Sequence, residues 1–262
     1  MVEIRGFLID LDGTLYIGDR PVAGAKEFVT WLQDKNIPFL LLTNNSTRTP
    51  YQVRDKLQKM GIEVNPAKIY TSANALGDYI REYFPGKHGA FVIGEDGVKE
   101  ELKLCGWEIV DSHLGAEFVV VGLDQHVDYR KLKEAVLAIQ NGAKFIACNC
   151  DSGFPSPEGL LPGAGAIVNA ITTVVGIEPV VLGKPNDCII RYAVRRLGTE
   201  LDKTAIVGDR LDTDILLGKK MGMITMLVLT GVVKSKEEIS RINPDFVFKD
   251  VEDLWGNIFR LL

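Results

Sequence analysis

The sequence predicts an α/β protein built on a doubly wound, Rossmann-like parallel sheet. One observation behind this is a series of short, continuously apolar runs, the pattern of strands buried on both faces. A second is the alternation of those runs with longer helical stretches. The third is that side chains capable of chemistry follow the apolar runs directly. They fall at carboxyl ends of strands, where open α/β sheets bind ligands.

Taken in order, "GFLID" (6–10) reads as the first strand and 23–35 as the helix after it. "PFLLLT" (38–43) is the next strand, followed by a helix over 49–60 in which Pro50 suits the first turn and Thr49 the N-cap. "KIYTS" (68–72), "AFVIG" (90–94) and "EFVVVG" (117–122) are strands, and 129–141 is a helix. "KFIACN" (144–149) and "PVVLG" (179–183) are strands, with a helix over 186–197 before "TAIVGD" (204–209) and "TMLVLTG" (225–231). The sequence contains no internal repeat and no low-complexity tract.

A chain of 262 residues can bury one large core, or a core and a smaller domain. Hydrophobic residues at 46% and charged residues at 25% are ordinary for a globular protein. A net charge of -5 argues against a general nucleic-acid binder, so nucleic acid is not expected as a partner. No apolar stretch approaches the ~18 residues of a membrane span, so no membrane is expected either. Met1–Ile4 runs straight into strand-like sequence with no signal-peptide pattern, which makes the cytoplasm the expected location. Cys105, Cys148, Cys150 and Cys188 form no CxxC pair and no disulfide framework, so they read as small hydrophobes rather than zinc ligands. His88, His113 and His126 lack ligand spacing.

Four strand ends carry the chemistry. "FLID" ends in Asp10, followed by Asp12, and "FLLLT" ends in Thr43, followed by Asn44 and Asn45. "VVLGK" ends in Lys184, and "AIVGD" ends in Asp209, with Asp212 and Asp214 behind it. Singly these are weak signals: DxD and TNNS are common in turns, GKP in loops, and acidic residues at helix starts. Together they assemble carboxylates, a hydroxyl, amides and an ammonium, a set suited to a phosphate beside a divalent cation.

A carboxylate that attacks a phosphate ester meets a like charge. At ~4 Å and an effective dielectric of ~20 the repulsion is roughly 4 kcal/mol. Mg²⁺ held by Asp10 and Asp209 would cancel it. Lys184 would neutralise the phosphoryl oxygens, and the Thr43 hydroxyl and the amides of Asn44 and Asn45 would hydrogen-bond them. Asp10 would form an aspartyl-phosphate, while Asp12 protonates the leaving oxygen and then activates water. Gly13 permits a sharp turn and Thr14 can bond back to the carboxylates. A phospho-accepting receiver-like domain uses a similar set without efficient turnover and is the alternative; Asp12 and the long insertion before Lys184 speak against it. "PGAGAIVNA" resembles part of a dinucleotide fingerprint but lacks its third glycine and a ribose-binding acid.

"DLDGT", "LLTNNS", "GKP" and "GDRLDTD" resemble the four motifs of the haloacid dehalogenase (HAD) superfamily and span nearly the whole chain. The wording is similar in particular to phosphatases with a type IIA cap: the nagD-type, p-nitrophenylphosphatase, phosphoglycolate and pyridoxal phosphate phosphatase group. The resemblance implies a Mg²⁺-dependent phosphomonoesterase acting on a small phosphorylated metabolite. It makes Asp10 the nucleophile and a metal ligand, and Asp12 the acid/base with its backbone carbonyl on the metal. Asp209 becomes the third protein ligand, Lys184 the phosphate lysine, and Thr43, Asn44 and Asn45 the phosphate loop. Asp214 takes an outer-shell position and Asp212 faces solvent. Residues 1–77 and 181–262 would form the HAD-like core and 78–180 the α/β cap, with "ACNCDSGFPSPEGLLPGAGAIVNA" facing the substrate. Cys148 and Cys150 depart from the usual residues of that segment, and Phe154 stands where some members place a substrate-contacting His. Family members often pair, so a homodimer is expected.

Overall fold

The computed structural model describes residues 3–156, 158–231 and 235–258. The chain divides into two compact units, Met1–Thr43 with Pro50–Tyr70 and Ile190–Leu262, and Asn44–Thr49 with Thr71–Ile189. Among the described residues no helix is long and apolar enough to cross a membrane.

The first unit is built on a six-stranded sheet. Across it run Ile69–Thr71, Phe39–Thr43, Gly6–Asp10, Thr204–Gly208, Ile224–Val228 and Phe246–Phe248, an order of 3-2-1-4-5-6 counted along the chain. Gly6–Asp10 pairs in parallel with Phe39–Thr43 on one side and Thr204–Gly208 on the other. The direction of strand succession reverses there, the switch point at which doubly wound sheets leave a crevice. Phe7, Leu8 and Ile9 are fully buried, which explains why the run is continuously apolar. Helix Ala25–Asp34 lays Phe28, Val29 and Leu32 on this core, and Phe28 meets Phe7 edge-on at 5.8 Å. Helix Pro50–Lys59 opens on Pro50, as expected, and buries Val53 and Leu57.

The second unit has its own parallel sheet of five strands: Val180–Val181, Lys144–Ala147, Phe118–Val121, Gly89–Ile93 and Glu108–Val110. Helices Tyr129–Gln140 and Ala164–Val175 cover one face, where Val119, Val121, Ala138, Ile139, Val168 and Ile171 interlock. Phe118 points the other way, against Trp107 at 4.3 Å and Phe84 at 4.9 Å between ring centres. The expected strand 179–183 is regular only over Val180–Val181, although the N–H groups of Leu182 and Gly183 still donate to the carbonyls of Ala147 and Cys148 at the end of the neighbouring strand, at 3.0 and 2.7 Å. Gly153–Ser156 and Gly159–Pro162 form an antiparallel hairpin that the sequence reading left unassigned.

Candidate active site

Asp10 closes the first strand and lies in register with Leu42, so Thr43 ends the neighbouring strand beside it. On the other side Ile9 is in register with Val207, and two residues on the chain reaches Asp209. Three strand ends at the switch point thus present Asp10, Thr43 and Asp209, all at most 8% exposed. Asp214 joins them from the next turn. Leu211–Ile215 is π-helical, with the N–H groups of Asp214 and Ile215 both donating to the Arg210 carbonyl at 3.2 Å. That widened turn sends Asp214 inward and leaves Asp212 at the surface, paired with Arg210. A Cβ at Gly208 would collide with the Asp214 side chain, so the approach depends on that glycine.

One ligand oxygen from each of Asp10, Asp209 and Asp214 falls within 4.8 Å of the others. The outer role expected for Asp214 is therefore joined by a place in the carboxylate cluster itself. Like charges this close disfavour one another unless a cation or a proton is shared. A donor set of carboxylate oxygen alone suits a hard divalent cation such as Mg²⁺. The surroundings also leave room beside it. Gly13, at φ 87°, would bring a Cβ to 2.5 Å from Asp209 Oδ2, and a Cβ at Gly231 would overlap the same carboxylate. The Thr230 hydroxyl donates to the Gly13 carbonyl at 2.6 Å, tying the two glycine turns together. Thr230 and Gly231 went unassigned in the sequence, although the strand-end rule applied to "TMLVLTG" would have found them.

Asp12 is exposed and accepts a hydrogen bond from the Tyr16 hydroxyl at 3.0 Å. The expectation for Thr14 is corrected. Its Oγ1 is buried and makes no hydrogen bond to the carboxylates or to any other of the described residues, while its N–H donates to the Leu11 carbonyl in the turn at 3.2 Å.

The second unit holds Asn44, Asn45 and Lys184. Asn44 Oδ1 accepts from the Lys184 N–H at 2.8 Å, and Nδ2 donates to the Lys184 carbonyl at 2.9 Å and to Asp151 Oδ2 at 3.0 Å. The Asn44 carbonyl accepts from Ser72 Oγ at 2.6 Å and Asn149 Nδ2 at 2.8 Å. The side chain and the carbonyl of Asn44 are thus both engaged within this unit. Asn45 Oδ1 accepts from the Thr47 N–H and hydroxyl at 2.9 and 2.8 Å, an Asx turn that shapes the loop. Ser72, Asn149 and Asp151 were not assigned roles from sequence, since each meets Asn44 only across a wide sequence separation.

Burial pushes the Cys148 thiol up to about 12 against a smaller opposing hydrogen bond with Ser46, so this sulfur behaves as a small hydrophobe. Burial also raises Cys150, reinforced by the charges of Asp151 and Glu178. Phe154 sits half-buried in the hairpin.

Residues 7–108 match the family described as haloacid dehalogenase-like hydrolase, and residues 181–254 match the HAD-hydrolase-like family. An acid sugar phosphatase of Staphylococcus aureus is 42% identical over 256 residues, covering 97% of both chains. The p-nitrophenyl phosphatase from Archaeoglobus fulgidus superposes with a TM-score of 0.89 at 35% identity, covering 97% of this chain and 99% of that one. NagD from Escherichia coli K-12 superposes with a TM-score of 0.88 at 33% identity, covering 96% and 98%. The chain belongs to the haloacid dehalogenase superfamily. Within it, the chain is a phosphatase of the type IIA group, and the receiver-like alternative gives way.

Proposed function

We propose that the protein is a Mg²⁺-dependent phosphomonoesterase that hydrolyses a small phosphorylated metabolite through an aspartyl-phosphate on Asp10. The observation that carries the reading is the convergence of Asp10, Asp209 and Asp214 where the strand order reverses. Asp10 and Asp209, with the backbone carbonyl of Asp12, would hold the cation, and Asp214 would support them. When bound, it neutralises the charge between carboxylate and phosphoryl group. An Asp10 oxygen attacks phosphorus and the bond to the leaving oxygen breaks, with Asp12 delivering the proton. Asp12 then takes a proton from the water that attacks the phosphoryl group, releasing inorganic phosphate and restoring Asp10. Lys184, the Thr43 hydroxyl and the backbone amides of Asn44 and Asn45 stabilise the phosphoryl oxygens.

Residues 78–180 act as the cap that selects the leaving group, and the enzyme works as a cytoplasmic homodimer, which light scattering on the purified protein checks. Sugar phosphates are the first substrate class to test, supported by the S. aureus relative named for them. The deciding experiment measures kcat/KM over sugar phosphates, nucleoside monophosphates, phosphoglycolate, pyridoxal phosphate and an aryl phosphate, with Mg²⁺ and with a chelator. A sugar phosphate preference lost on chelation is expected. Turnover that survives chelation would overturn the metal-dependent reading, and a flat response across the panel would overturn the sugar assignment.

A further inference from the structure

The side chain of Asn44 makes all three of its stronger hydrogen bonds inside the protein, and two go to one residue. Its carboxamide pairs with the N–H and the C=O of Lys184, as a neighbouring strand would, and its remaining hydrogen goes to Asp151 Oδ2. This fixes the peptide groups on both sides of the Lys184 Cα, and so the direction in which the side chain departs. The fit is close. A Cβ on Gly183 would stand 2.7 Å from Asn44 Oδ1 and 2.6 Å from the Cys148 carbonyl, so the loop that presents Lys184 reaches the amide only because residue 183 is glycine. Asn44 is itself held, since Ser72 and Asn149 both donate to its carbonyl. Asn44 and Lys184 are only 9% and 3% exposed, so water is a poor substitute for these bonds.

From this geometry we infer that the Asn44 side chain is a positioning residue for Lys184, with Asp151 orienting the amide from the far side. The inference rests on the reading of Lys184 as the phosphate-binding cation, and it gives Asn44 a second role beside its backbone amide. A residue that acts through Lys184 loses its effect once the ammonium is removed, whereas one that only shapes its own loop does not.

The test is a double-mutant cycle of Asn44→Ser and Lys184→Met. Its readouts are kcat/KM for an aryl phosphate and the inhibition constant of inorganic phosphate. Asn44→Ser removes both donors to Lys184 and Asp151 without adding charge and leaves the backbone amide in place. In the wild-type background it is expected to weaken inorganic phosphate about tenfold and lower kcat/KM by about ten- to a hundredfold. In the Lys184→Met background the same change is expected to cost less than about threefold on both readouts. Equal losses in the two backgrounds, or no loss in the wild type, would overturn the inference. If Lys184→Met alone changes neither readout, the parent reading of Lys184 fails, a separate result. Should Asn44→Ser fail to fold, Asp151→Ala deletes only the outer acceptor and is read by the same cycle, with a smaller expected loss of about threefold in the wild-type background.

Discussion

At the scale of single residues, Asp10 and Asp12 sit two positions apart and differ in surroundings. Asp10 is buried in the carboxylate cluster, whereas Asp12 is exposed beside the Tyr16 hydroxyl. Their proposed roles separate in the same way. Asp10→Asn removes the nucleophile and a cation ligand, and kcat is expected to fall below about a hundredth of wild type; a larger residue of activity would end the covalent proposal. Asp12→Asn keeps the backbone carbonyl and removes the proton carrier. Alkyl esters, whose leaving groups need the proton most, are expected to slow by ~10²–10⁴-fold and aryl esters by less. The phosphoenzyme should then accumulate with an aryl substrate, giving a burst of no more than one phenol per site in stopped flow. Equal slowing of both ester types without a burst would assign Asp12 to structure or metal binding.

At the scale of elements, the turns after the strands decide which carboxylates converge. Gly13→Ala places a methyl group against Asp209 and forces a residue with a side chain to φ 87°. The backbone alone is expected to cost ~1–3 kcal/mol, and the Mg²⁺ concentration for half-maximal activity should rise at least tenfold in a metal titration. Helix Tyr129–Gln140 offers a different test. Hydrogen bonds from the His113 ring and backbone, with Lys133 nearby, hold Glu134 down at about 2 against an ordinary 4.5. The folded value lies below the unfolded one, so this stabilisation is complete above 4.5 and fades as the pH falls toward 2. The urea midpoints of wild type and Glu134→Gln are therefore expected to differ by a constant amount just above that range and to converge below it. Legibility in the sequence followed the same physics. Strands buried on both faces were readable as apolar runs, and Asp10, Thr43 and Asp209 followed from the rule about strand ends. Glu108–Val110 and Phe246–Phe248 went unread: they are three-residue edge strands buried only in part, whereas Ile69–Thr71, equally short and also at an edge, is fully buried. The π turn that separates Asp214 from Asp212 has no local signature in "GDRLDTD", and only the resemblance to the family told the two acids apart. The partnership of Asn44 with Lys184 joins residues 140 positions apart, a distance no local pattern spans.

At the scale of the whole molecule, a cation bound by buried carboxylates of the folded state stabilises that state by mass action. Mg²⁺ at a hundred times its dissociation constant is expected to contribute ~2.7 kcal/mol, read by calorimetry as a higher melting temperature than in chelator. If the two units melt separately, the transition of the unit holding Asp10, Asp209 and Asp214 moves and the other stays. Asp209→Asn should abolish the shift, and a shift that survives it would place the cation elsewhere. The hydrogen bond from Thr230 to the Gly13 carbonyl has one more consequence, for the order in which the protein is made. Asp10 leaves the ribosome long before one of its two flanking strands, which begins at Thr204, and before the hydroxyl of residue 230 that secures its turn. The second unit draws mostly on the continuous stretch Thr71–Ile189, and can close while synthesis continues. The carboxylates must wait. A nascent chain that has not yet reached Asp209 and Asp214 lacks two of the three clustered carboxylates.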